Sequence, residues 1–93
     1  MIKSFRDKAT ALVFKGSVPR GVSRELAVAA RRKPLALDMA ESVEDLRLPP
    51  GNRLDVLRGE RTGQHSIRIN GQWRLVFVWD GGGVFDVEIV DYH

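Results

Sequence analysis

The stretch "HSIRINGQWRLVFVW", residues 65–79, decides how this chain folds. Its larger apolar residues fall at every second position: Ile67 and Ile69, then Trp73, Leu75, Phe77 and Trp79, leaving Arg74 on the other face with Val76 and Val78. A period of two is that of a strand with one face buried. Asn70-Gly71 stands between the two runs, a pair suited to a two-residue type I′ turn, so the stretch predicts a β-hairpin. Working outward, "VFDVEIV" (84–90) follows the turn residues "DGGG" and sets Phe85, Val87 and Ile89 against Asp86 and Glu88. On the other side "RLDVLRG" (53–59) alternates Leu54 and Val56 with Arg53 and Asp55, and "GERTG" connects it to the hairpin. Three hairpins in succession predict a four-stranded antiparallel meander.

Upstream the period lengthens to that of a helix. "RDKATALVFKG" places Ala9, Leu12 and Val13 at helical spacing, with Gly16 as a stop. "SRELAVAARRK" (23–33) opens with Ser23 as a candidate N-cap and aligns Leu26, Ala29 and Ala30. Pro34 then either kinks that helix or starts a new one over "PLALDMAES". Pro49-Pro50-Gly51 is a firm break, and "MIKSF" at the start reads as a short N-terminal edge strand. The expected architecture is α+β: N-terminal helices packed on the apolar face of the meander, in one domain spanning residues 1–93.

At 93 residues such a domain buries only ~60–65% of its unfolded surface, so tight packing matters. No cysteine is present, which excludes disulfide and thiolate chemistry. The two histidines lie far apart, so no metal-ligand spacing exists, and no phosphate-binding or dinucleotide motif predicts a cofactor. The start has no apolar targeting segment and no run is long enough to span a membrane, which predicts a cytoplasmic location away from membranes. Charge is uneven: residues 1–33 carry nine bases against two acids, residues 34–93 six arginines against ten acids. Eleven of the fifteen bases are arginine, the side chain that grips phosphate in a bidentate manner. The basic half therefore suits a polyanion or an acidic partner, or equally a solvated face.

Arg68 and Arg74 are out of phase with the apolar residues of neighbouring strands, so both should project from the sheet's open face. Arg53 has the same parity one strand earlier. A row of like charges repels unless an anion sits among them or each pairs with an acid on that face, for which Asp55, Asp86 and Glu88 are available. His65, beside a turn, reads either as polar surface or as a contact to a ligand. His93 closes the chain two positions from Asp91, and an imidazole near a carboxylate is suited to general acid work. By alternation Tyr92 points opposite to Asp91 and His93, so bringing that pair to the open face needs a bulge near Val90, with Tyr92 as anchor.

The segment "PPGNRLDVLRGERTGQHSIRINGQWRLVFVW" followed by "VEIVDYH", about residues 48–93, closely resembles the HigB-type toxins, the "killer protein" branch of the RelE/ParE superfamily of toxin–antitoxin modules. The resemblance implies a RelE-like α+β fold and a ribosome-dependent endoribonuclease that cuts mRNA in the A site without a metal, inhibiting translation. It implies a helix-turn-helix antitoxin of the HigA type as partner, with the complex binding operator DNA through the antitoxin. Carried onto this chain, it assigns catalysis to His93, Asp91 and Tyr92 of the D-Y-H end and to Arg68 and Arg74 of the I-R-I-N and Q-W-R motifs. Where several family members have a histidine, this chain has Asp55. The RNA backbone would be held by Arg53, Arg58, Arg61 and His65. Two other readings belong to different classes: a ParE-like toxin that inhibits DNA gyrase, and an RNA-binding module without catalysis. His93 argues against the first, and the lack of exposed aromatic platforms against the second.

Overall fold

The computed structural model describes residues 1–61 and 63–92, and only the backbone of Pro34 and Leu35. Among the described residues the chain forms α1 (Lys8–Phe14), α2 (Arg24–Ala30) and α3 (Pro34–Met39), then β1 (Asp55–Val56), β2 (Gln64–Arg68), β3 (Trp73–Asp80) and β4 (Gly83–Asp91). The strands lie in the order β1-β2-β3-β4, all antiparallel, as the meander requires. The start of the chain adds to the outer side of β4 through two parallel bridges, Ile2 to Val84 and Phe5 to Val87, a reduced form of the expected edge strand.

The first two helices begin where the sequence supplies a cap. Asp7 accepts a hydrogen bond from the Thr10 N–H at 2.7 Å, and Ser23 accepts one from the Leu26 N–H at 3.0 Å. Of the two options for Pro34, the structure takes the restart: α2 ends at Ala30, and α3 opens with proline at its first turn. The α1–α2 pair packs through Val13, Ala27 and Ala30, all fully buried. Arg31 fastens the same pair, donating from Nε to the Val13 carbonyl at 2.8 Å and from Nη2 to the Ser17 carbonyl at 2.5 Å.

The main core lies between α3 and the sheet. Leu37 and Leu46 meet Ile67, Leu75, Phe77, Val84 and Val87, none more than 1% exposed. Thr10, buried in α1, accepts a hydrogen bond at 3.1 Å from the Ile89 N–H and ties the helices to β4. The loop from 46 to 53 is organised by buried Asn52, whose Nδ2 donates to the carbonyls of Leu46 and Leu48, both at 3.2 Å. Its Oδ1 accepts from Lys33 Nζ at 2.8 Å, so a lysine of the helical half secures a loop of the sheet half.

Three local expectations are corrected. β1 is only two residues long, because Arg53 adopts a left-handed backbone (φ 46°) and breaks the strand before it starts. Val56, expected inside, is 53% exposed at the sheet edge, and Leu57 is the buried residue. Asn70-Gly71 is not a two-residue type I′ turn: neither residue has the positive φ that turn needs. Instead Asn70 Oδ1 accepts from the N–H groups of Gln72 and Trp73, each at 3.0 Å, shaping a longer loop. The third concerns β4, which carries a bulge where Val76 pairs with Glu88 but Val78 with Phe85. Asp86 occupies the left-handed region there (φ 53°), its N–H donating to Ser4 Oγ at 2.9 Å. The extra residue puts Val84 and Val87 both in the core, while Phe85 moves to the opposite face with Glu88.

Candidate functional site

Arg68 and Arg74 are direct cross-strand partners, and Arg74 in turn faces Val90 on β4. Partners across a ladder share a face, so the two guanidiniums emerge together on the side away from the helices. With Arg53, Asn70, Gly71 and Tyr92 they line a cavity of about 320 Å³. Arg53 reaches it from its left-handed turn and not from a strand position.

The interactions that hold the arginines leave their charge in place. Arg74 donates from Nε to Ser66 Oγ at 2.8 Å and from Nη2 to the carbonyls of Ser66, at 3.3 Å, and Arg53. Arg68 donates from Nε to the Asn70 carbonyl at 3.1 Å. These acceptors are neutral. Among the described residues none of the three arginines forms an ion pair with a carboxylate. Of the acids available to a ladder, Glu88 is taken by Arg61 at 3.2 Å and Arg6 at 3.7 Å, and Asp86 by Ser4. Burial pushes the Arg74 guanidinium below its ordinary pKa, and Arg68 and Arg53 add to this while Tyr92 and Asp55 oppose it. Lys33 is also lowered, by burial first and then by the charge of Arg68. A cluster of cations held by carbonyls is poised for an anion.

Tyr92 sits on this side of the sheet, its ring centre 5.4 Å from the Arg74 guanidinium carbon and its surface 47% exposed. This is the reverse of the facing expected for Tyr92 and Asp91. The bulge of β4 lies at Asp86 and Val87 and not near Val90, so alternation runs on unbroken from Val87 through Ile89 to Asp91. Asp91 therefore pairs with Trp73 on the other face, and its Oδ2 accepts from Gln72 Nε2 at 3.1 Å. Tyr92, not Asp91, faces the arginines. His93 lies outside the described residues.

The proposed RNA-holding residues separate in the same way. Arg53 lines the cavity. Arg61 is engaged with Glu88 and with Gln64, whose Oε1 accepts from Arg61 Nη1 at 3.1 Å; Arg58 is exposed between β1 and the turn at Gly59–Arg61. His65 lies away from the cavity: its register partner is Phe77, so it faces the helices. Its ring stacks on Phe77 at 6.0 Å, with Nδ1 buried and without a hydrogen-bond partner among the described residues. Exchanging this imidazole for a ring with no polar atom is expected to stabilise the fold. Burying a polar atom without a partner costs roughly 1–3 kcal/mol, so His65→Phe should raise unfolding free energy by about 1 kcal/mol in urea titration, with RNA cleavage retained. A fall in stability together with lost cleavage would return His65 to the site.

Sequence reasoning missed Ser66, Asn70 and Gln72. Asn70 was the legible one: an asparagine before glycine between strands signals a turn, and its side-chain oxygen as a backbone acceptor is the alternative to a positive-φ turn.

Comparison with known proteins agrees with this architecture and extends it. Residues 3–93 match the HigB-like toxin family, described as the RelE-like toxin of type II toxin–antitoxin system HigB. "Toxin HigB-1" of Vibrio cholerae serotype O1 is 51% identical over 51 residues, 55% of this chain and 54% of that protein, so this match spans about half of each. "Endoribonuclease HigB" of Proteus vulgaris is 31% identical over 93 residues, end to end in both chains. Among solved structures, the YoeB–YefM complex from Staphylococcus aureus contains a chain that superposes with a TM-score of 0.59 at 16% identity, covering 100% of this chain and 98% of that one; at that identity the likeness concerns the fold. With a family match over nearly its whole length and a full-length relative above 30% identity, this chain belongs to the HigB-like family of RelE-like toxins of type II toxin–antitoxin systems.

Proposed function

We propose that this toxin is an endoribonuclease that cuts mRNA in the ribosomal A site by attack of a ribose 2′-OH on the adjacent phosphodiester, giving a 2′,3′-cyclic phosphate. The observation that carries the reading is the cavity itself: three arginines, two of them held by carbonyls and a hydroxyl and none paired with a described carboxylate, beside an exposed tyrosine. The scissile phosphate sits between Arg68 and Arg74, which stabilise the charge that grows on the phosphorane oxygens. Arg53 holds a flanking phosphate, and Tyr92 stacks on a base or donates its hydroxyl to phosphate. His93 is the general acid at the leaving 5′-oxygen, and water in the open cavity takes the proton of the attacking 2′-OH. An end-to-end relative named as an endoribonuclease supports the same reaction.

The ribosome supplies the orientation that a small open cavity does not, turning a slow reaction on free RNA into a productive one. The partners are then mRNA, the ribosome and an antitoxin of the HigA type, which carries the complex to operator DNA. A cytoplasmic site of action follows from the ribosome as target, and no described helix is long and apolar enough to cross a membrane.

Purified toxin with programmed ribosomes is expected to cut mRNA, and His93→Ala to stop the cutting with the far-UV circular dichroism and urea midpoint of the wild type. Full cutting by that variant removes His93 from the mechanism. Inhibition of gyrase supercoiling without any RNA cleavage transfers the chain to the other toxin class.

A further inference from the structure

Gln72 contributes no surface to the arginine cavity, yet its groups touch both ends of it. Its N–H donates to Asn70 Oδ1 at 3.0 Å, within the loop whose Asn70 carbonyl receives Arg68. Its own carbonyl accepts from the Tyr92 N–H at 2.7 Å. Its side-chain Nε2 donates to Asp91 Oδ2 at 3.1 Å. The β3–β4 ladder ends at the pair Trp73–Asp91, so Tyr92 stands one residue past the last paired position. Residues beyond the last ladder pair of a strand lose its backbone hydrogen bonds and open locally unless something else ties them down.

We infer that Gln72 is a positioning residue, which staples the end of β4 to the β2–β3 loop and thereby holds Tyr92 beside Arg74. The inference rests on the reading of the arginine cavity as the cleavage site. Gln72 and Asp91 are both exposed, so their hydrogen bond adds little to global stability. Its effect is local: it fixes the last strand turnwise against the loop that also orients Arg68, so the two halves of the cavity keep a constant separation. The backbone contact to Tyr92 survives any substitution, whereas the side-chain contact to Asp91 can be removed or reversed.

Tyr92 is the single tyrosine of the chain, so tyrosine labelled with ¹³C in its ring gives signals from this residue alone. In Gln72→Ala and Gln72→Glu these signals are expected to move toward those of a free tyrosine side chain, with the urea midpoint unchanged. On programmed ribosomes kcat should fall roughly tenfold or more, because a displacement of about an ångström is enough to spoil alignment, while KM changes less than twofold. The double variant Gln72→Glu/Asp91→Asn exchanges donor and acceptor and should return the ring signals to their wild-type positions. Unchanged ring signals in Gln72→Glu, unchanged kcat, or no return in the exchanged pair each overturn the inference. Wild-type toxin that cuts no mRNA overturns the cleavage reading instead, and the ring signals then decide the positioning on their own.

Discussion

Replacing Arg74 by alanine should lower the rate of mRNA cleavage on programmed ribosomes by about 10²–10³-fold, the effect of losing one preorganised donor to a developing oxyanion, or ~2.7–4 kcal/mol of transition-state stabilisation. Arg74 is the most constrained of the cavity cations. Ser66 and the Arg53 carbonyl fix its guanidinium on one side, and the Tyr92 ring lies against it. A side chain held in this way loses no further freedom when phosphate arrives. Arg74→Lys should recover little, because an ammonium cannot bond Ser66, the Arg53 carbonyl and a phosphate through one planar fork. Arg68→Ala removes a similar charge but only one internal hydrogen bond, so its rate loss should come with a smaller change in stability. Near-wild-type cutting by Arg74→Ala would show that the cavity is not where the phosphodiester breaks.

Phe77→Ala should cost about 3–5 kcal/mol of folding free energy, read as a lowered urea midpoint. Phe77 is the largest fully buried side chain, on the sheet face that packs against Leu37 and Leu46, and it carries the stacked His65 ring. Domains are stable by only about 5–15 kcal/mol, and one of this size stands near the lower end, so a large share of the toxin should be unfolded at 37 °C. Phe77→Leu keeps most of the volume and should cost less than about 1.5 kcal/mol with cutting retained, since the cavity lies on the opposite face. A midpoint that does not move in Phe77→Ala would mean that the helices do not close over this face.

The sheet and the helices were legible because their signals are local. Alternation along 65–69 and 73–79 is a property of neighbouring residues, and it placed Ile67, Leu75 and Phe77 inside and Arg68 and Arg74 together outside. Ser23 marked a helix start for the same reason, and Pro34 narrowed its surroundings to a kink or a restart: a cap or a proline acts within one turn of itself. The outward pair of arginines and the resemblance of the motifs around them were enough to find the centre of the candidate site.

What the sequence left open was settled by contacts between distant residues. The bulge at Asp86 is held by Ser4, 82 positions earlier, so nothing in "VFDVEIV" reveals that Phe85 leaves the core. The turn that brings Arg53 to the cavity follows Asn52, anchored by Lys33 from the helical half. The loop at Asn70 took the side-chain-capped form over the tight turn, and Gln72 in it reaches the last strand. The face of Tyr92 was decided last: alternation placed it opposite Asp91, but which side met the arginines depended on where the strand bulged. Periodicity along the chain determined the elements and their buried faces. Tertiary contacts, which short local segments do not encode, decided that Arg53 and Tyr92 join Arg68 and Arg74 at the cavity.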